Sequence, residues 1–137
     1  MPVESDAELR ELLGFRRVAV VGRSATPGKA AHEIPNYLTE HGYDVIPVNP
    51  TVEEVLGTPA YDSLSEIDKE IELVNVFRPS EEVSGIVDEA LERTDLRAIW
   101  LQLGISDPEA TARAERAGLH VVSDRCIKVE HQRLVAP

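Results

Sequence analysis

Five short apolar runs, each followed by a stretch with helical spacing, constrain this chain more than any other feature. They are "RVAVV" at 17–21, "DVIPVNP" at 44–50, "IELVNVF" at 71–77, "RAIWLQL" at 97–103 and "HVVSDRC" at 120–126. Their residues are apolar almost without interruption, so both faces of each strand must be covered. That pattern belongs to parallel sheets sandwiched between helices. Crossovers between parallel strands are right-handed almost without exception. The expected fold is therefore an α/β, Rossmann-like domain spanning 1–137: a five-stranded parallel sheet of order 3-2-1-4-5, with helices on both faces. A chain of 137 residues suits one such domain.

The segments between the runs supply helix signals. Ser5 and Glu8 have capping-box spacing, Leu9, Leu12 and Leu13 follow on one face, and Gly14 can end that helix. Ile34, Leu38 and His41 mark a second helix that stops at Gly42. Pro35 lies inside it, so that helix begins near His32 or kinks. Residues 51–67 contain Gly57 and Pro59 and leave room for one short helix at most. Pro79 and Ser80 open a helix whose stripe is Val83, Ile86, Val87, Ala90 and Leu91. Ser106, Pro108 and Glu109 start another, ended by Gly118.

Charge and composition exclude several functions. Twenty-five acids against 14 bases give a net charge of −11. A basic nucleic-acid surface is excluded, because phosphate neutralisation needs clustered cations. No apolar run is long enough to span a bilayer. The stretch "MPVESDAELRELLG" is acidic and carries no secretion signal, so a cytoplasmic protein is expected. Cys126 is the one cysteine, and the four histidines share no ligand spacing. No disulfide and no metal site are expected.

Ligands of open parallel sheets bind outside the carboxyl ends of the strands, at the switch point beside the first strand. Here that place begins Gly22-Arg23-Ser24-Ala25-Thr26-Pro27-Gly28-Lys29. Gly22 permits a tight turn and Gly28 removes bulk beside the backbone. The free amides at the next helix start attract anions, and Lys29 adds a full charge. This is a phosphate cradle without the glycine pattern of a dinucleotide site. The acid that would receive an NAD ribose is also missing, since the second strand ends Val48-Asn49-Pro50. A ribose carrying an extra phosphate, as in coenzyme A, loses less from that gap.

The motifs "VAVVGRSATPGK", "HGYDVIPVNP", "EVLGTPAYDSL", "VNVFRPSEE", "WLQLGI" and "AGLHVVSDRCIKVEHQRL" occur in that order. Together they resemble the small stand-alone proteins of the CoA-binding-domain family. The fold of that family is related to the CoA-binding domain of the succinyl-CoA synthetase α subunit. The resemblance covers about residue 8 to 134. It implies that Gly22, Arg23, Ser24 and Lys29 lie against the CoA phosphates, with Pro27 and Gly28 in the same loop. It implies that Val48, Asn49 and Pro50 flank the adenosine, and that Phe77 and Arg78 lie beside the nucleotide or the pantetheine arm. Many members read Pro-x-Arg-x-Ser where this chain has Pro27-Gly28-Lys29-Ala30-Ala31. Lysine keeps the charge there but not the bidentate fork.

Other residues have two readings each. Arg78 contacts ligand or pairs with Glu81 or Glu82. Phe77 is core or packs towards ligand. Trp100 is core, with an indole nitrogen in need of a partner. Gln102 orients a ligand or satisfies backbone groups. Asp124 and Arg125 form an ion pair or cap, and Cys126 is a small hydrophobe or an exposed thiol. His131 is read as a solvated residue of a polar tail. No nucleophile–base pair converges on the strand ends, so no catalytic residue is expected. The leading expectation is a module that binds coenzyme A or an acyl-CoA without chemistry of its own. One alternative is the CoA-holding component of an acyl-CoA ligase, acting in trans because the chain ends where a ligase domain would begin. The other is a dinucleotide-binding regulator.

Overall fold

The computed structural model describes residues 3–135. The expected domain of 1–137 reaches past these bounds at each end. The main-sheet strands are β1 (Arg17–Val21), β2 (Asp44–Val48), β5 (Leu73–Val76), β6 (Ala98–Leu101) and β7 (His120–Val122). A two-stranded antiparallel hairpin, β3 (Glu54–Val55) and β4 (Thr58–Pro59), interrupts the long connection after β2. The helices are α1 (Asp6–Leu13), α2 (Ala30–Glu40), α3 (Val83–Leu91), α4 (Pro108–Arg116) and α5 (Ile127–Leu134).

The sheet is parallel throughout, in the order β2-β1-β5-β6-β7. Side chains alternate between its faces. Ala19, Val21, Ile46, Val48, Val74, Val76, Ile99 and Leu101 pack under α3 and α4. Val18, Val20, Val45, Leu73 and Trp100 pack under α1 and α5, with Leu38 of α2. The five-stranded parallel sheet covered on both faces is as expected, and every apolar run supplies one strand.

The place outside the second strand, expected for residues 71–77, is taken by a single parallel bridge between Tyr61 and Val48. Tyr61 N donates to Pro47 O at 3.0 Å, and Asn49 N donates to Tyr61 O at 2.9 Å. With this bridge counted as the third position, the sheet reads 3-2-1-4-5 and adds one further strand. The cause is Pro47. It has no amide to offer on that outer edge, so β2 supports a bridge there rather than a second full ladder. Leu73–Val76 is buried at every residue and takes a central place beside β1.

Local signals succeed and fail for identifiable reasons. Ser5 caps α1, its Oγ accepting from Glu8 N at 3.2 Å and donating to Glu8 Oε1 at 2.9 Å. The first cap of α4 is Asp107 rather than Ser106, because Asp107 Oδ1 accepts from Ala110 N at 3.1 Å. Leu91 is exposed at the end of the α3 stripe. The hairpin turn is made by Leu56 and Gly57, both at positive φ. Residues 127–134 are helical, not a solvated tail.

Candidate functional site

The loop after β1 is built from the inside. Gly22, at φ +88, donates its N–H to Val48 O at 2.8 Å. A Cβ there would lie 2.8 Å from Arg78 Cδ and 3.3 Å from the Phe77 carbonyl carbon, and the positive φ also favours glycine. Arg23 turns away from solvent and is 3% exposed. Its Nη1 donates to His32 O at 2.5 Å and its Nη2 to Asn36 Oδ1 at 2.7 Å. Burial among these neutral partners pushes its pKa down.

Pro35 completes the brace. A helical residue donates to the carbonyl four positions back, and proline cannot. The Ala31 carbonyl is thereby free of its helical donor, and it accepts instead from Ser24 N at 3.0 Å. The Ser24 carbonyl faces His32 Nδ1 at 2.8 Å, which makes that nitrogen the protonated donor. Asn49 ties the loop to β2 by donating from Nδ2 to Arg23 O at 2.9 Å.

The outer part of the loop points the other way. Pro27, Gly28 and Lys29 are exposed, and Lys29 precedes the first turn of α2. The N–H groups of Ala30 and Ala31 have no partner within the helix by its geometry. Gly28 N donates to the carboxylate of Glu33 at 3.2 Å. The loop therefore already receives an anion on its backbone.

Beside the loop lies a cleft of about 300 Å³. Val21, Val48, Leu64 and Ile86 give it apolar walls, and Asp62, Glu82 and Glu89 lie at its margin. Of the expected site residues, Gly22, Val48, Asn49, Pro50 and Arg78 line it. Lys29, Gly28, Pro27 and Ser24 lie on the adjoining loop, Arg23 is buried behind it, and Phe77 is half-buried against the α1–α5 face. Arg78 makes a bidentate pair with Glu82, at 3.1 and 2.5 Å. This partner holds the Arg78 pKa above, and the Glu82 pKa below, their ordinary values.

Sequence reasoning missed Asp62, Ser63, Leu64, Glu82, Ile86 and Glu89 as cleft residues. A signal existed for part of this set, since Glu82, Ile86 and Glu89 recur at the spacing of one helix face. For residues 62–64 the signal was the motif "EVLGTPAYDSL", which did not say that they follow a bridge to β2 at Tyr61.

Most of the remaining candidates have internal partners. Trp100 Nε1 donates to Arg125 O at 2.9 Å. Gln102 Oε1 accepts from Asn75 Nδ2 at 3.1 Å and from Ile127 N at 3.0 Å, which ties α5 to the sheet. Asp124 and Arg125 do not pair with each other: Asp124 accepts from Gly104 N, and Arg125 pairs with Glu130. Cys126 is partly exposed in a second, larger cleft of about 650 Å³. His131 is 3% exposed, and the Tyr37 hydroxyl lies 2.7 Å from its Nδ1. The expectation of a solvated histidine fails because α5 turns that side chain onto Tyr37, His41 and Tyr43.

Among the described residues, no helix is long and apolar enough to cross a membrane. Comparison with known proteins gives a consistent picture. The family model described as CoA binding domain matches residues 16–132. The uncharacterized protein YneT of Bacillus subtilis is 44% identical over 128 residues, covering 93% of this chain and 94% of that protein. The alpha subunit of ADP-forming acetate–CoA ligase II of Pyrococcus furiosus is 28% identical over 124 residues, which is 83% of this chain but 27% of the subunit. A solved hypothetical protein from Pyrococcus horikoshii OT3 superposes with a TM-score of 0.93 at 38% identity, covering 98% of this chain and 96% of that one.

Proposed function

The chain belongs to the CoA-binding domain family, and from that premise we propose that it binds coenzyme A or an acyl-CoA at the β1–α2 loop and the adjoining cleft, without chemistry of its own. In this reading the diphosphate lies on the loop of Gly22, Ser24, Pro27, Gly28 and Lys29. The backbone N–H groups at the start of α2 and the Lys29 ammonium receive it. Arg23 holds the loop rather than the phosphate. Val48, Asn49 and Pro50 flank the adenosine, and Arg78 exchanges Glu82 for a ligand oxygen. Residues 1–137 act as one CoA-binding unit of a cytoplasmic protein.

The observation that carries this reading is the Glu33 carboxylate on Gly28 N, 3.2 Å away. It is an internal anion on the backbone group expected to meet phosphate. Coenzyme A also fits the absence of a carboxylate after Val48, where Asn49 uses its Oδ1 to accept from Thr51. A second reading, the CoA-holding component of a multi-subunit acyl-CoA ligase, draws on the similarity to a ligase alpha subunit. It uses the same residues for the coenzyme. Calorimetry with coenzyme A and with NAD tests both. Coenzyme A binds and NAD binds more weakly or not at all; tighter binding of NAD overturns the reading.

A further inference from the structure

A groove of about 650 Å³, larger than the cleft beside the β1–α2 loop, is left unassigned by the coenzyme reading. It opens at the carboxyl ends of β6 and β7, between the first turns of α4 and α5. Because the sheet is parallel, this is the same edge that carries the β1–α2 loop. Leu103 and Val129, two of its walls, are 70% and 55% exposed. Pro108 adds apolar surface and Ser106, Ser123 and Cys126 add small polar groups, while the charged Arg125 and Glu130 of the lining pair with each other and Asp124 accepts from Gly104 N.

Length links the groove to the loop. From β1 to β7 the sheet takes three steps, through β5 and β6. At about 4.8 Å per step that is roughly 14 Å. The pantetheine arm has about twelve bonds between its phosphate and its sulfur, and an extended chain covers roughly 14 Å over that number. An arm that leaves a diphosphate at the start of α2 and crosses the ends of β5 and β6 thus ends at the groove.

We propose that this groove receives the acyl group of an acyl-CoA. The proposal rests on the reading that the coenzyme's diphosphate is held at the β1–α2 loop. The exposed Leu103 and Val129 side chains then gain cover from the acyl chain. The serine hydroxyls supply donors for the thioester carbonyl. This commits the protein to a preference for acyl-CoA over the free thiol.

Calorimetry with CoA and hexanoyl-CoA, on the wild-type protein and on Val129→Asp and Leu103→Asp, tests it. Both side chains are largely exposed, so neither substitution burdens the core, and thermal melts check this. A fully buried methylene is worth about fourfold in affinity, so a half-open groove gives hexanoyl-CoA a preference of about tenfold or more over CoA. In the two variants that ratio falls to about one. The proposal is overturned if the wild-type protein binds both ligands equally, or if the preference persists in both variants. Failure of CoA itself to bind removes the coenzyme reading; CoA binding without an acyl preference removes the acyl groove alone.

Discussion

Arg23 and Arg78 follow neighbouring strands, β1 and β5, and reach opposite environments. Arg23 is buried and donates to a carbonyl and an amide oxygen, and its Nε has no partner. Arg78 keeps 47% of its side chain exposed and pairs with a carboxylate. Neutral partners compensate a buried charge only in part, so Arg23 is held at a cost in solvation. What that burial secures is a fixed loop, since one guanidinium binds two residues of α2. Arg78 sits in a surface ion pair of small net value, which a ligand phosphate can replace. Two identical side chains thus divide into a buried brace and an exposed ion-pair partner, and solvent exposure separates them.

Substitutions can break that division. The largest effect is expected for Arg23→Ala, which removes two charge-assisted hydrogen bonds and leaves the His32 carbonyl and the Asn36 amide oxygen without this donor. Urea denaturation should show a loss of about 2–4 kcal/mol, and CoA affinity should fall with it because the loop is no longer held. Unchanged stability would remove Arg23 from the bracing role. Lys29→Ala comes next and should behave oppositely. A charge-assisted bond to phosphate is worth roughly 1.5–3 kcal/mol, so the dissociation constant should rise about tenfold to a hundredfold at constant melting temperature. An unaltered constant in a folded variant would make Lys29 a plain surface residue.

The smallest effect concerns a polar residue that, like Arg23, has moved indoors. Burial, His41 and Arg16 push the His131 pKa below histidine's ordinary 6.5. Tyr37, His41 and Tyr43 surround its ring, with Lys128 over Tyr37 and Arg16 over Tyr43. The unfolded chain therefore takes up this proton first as pH falls. His131's contribution is complete above about pH 6.5 and declines as pH drops through that value towards the lower pKa of the folded state. Urea midpoints from about pH 8 to about pH 5 should show this decline, and His131→Gln should flatten it. An equal slope in the variant would assign the decline to other groups.

Much of the architecture was legible in particular residues. The apolar runs identify all five main strands, Ser5 identifies the start of α1, and the position of Gly22 identifies the loop. The same string does not disclose α5, because its charged residues are partnered from afar: Arg133 by Asp6 and Glu130, and His131 by Tyr37. It reads "KVEHQRL" as solvated because each of those partners lies on another element or another turn. Gln102 was ambiguous for the same reason, as its two donors come from β5 and from the start of α5.

The sequence by itself determined the five main strands, the first four helices and the parallel sheet, and it pointed to the loop after the first strand. These depend on apolar periodicity, glycine positions and charge, which are local properties of the chain. The tertiary structure decided which polar groups remain available. Arg23 and Arg78 are indistinguishable as letters, and their fates depend on what each finds in space. Arg23 meets α2, where the His32 carbonyl and the Asn36 side chain accept from it; Arg78 meets the carboxylate one turn further along its own helix start. Hydrogen-bond satisfaction and desolvation are settled by neighbours distant in sequence, so they become readable only once the sheet has brought those neighbours together.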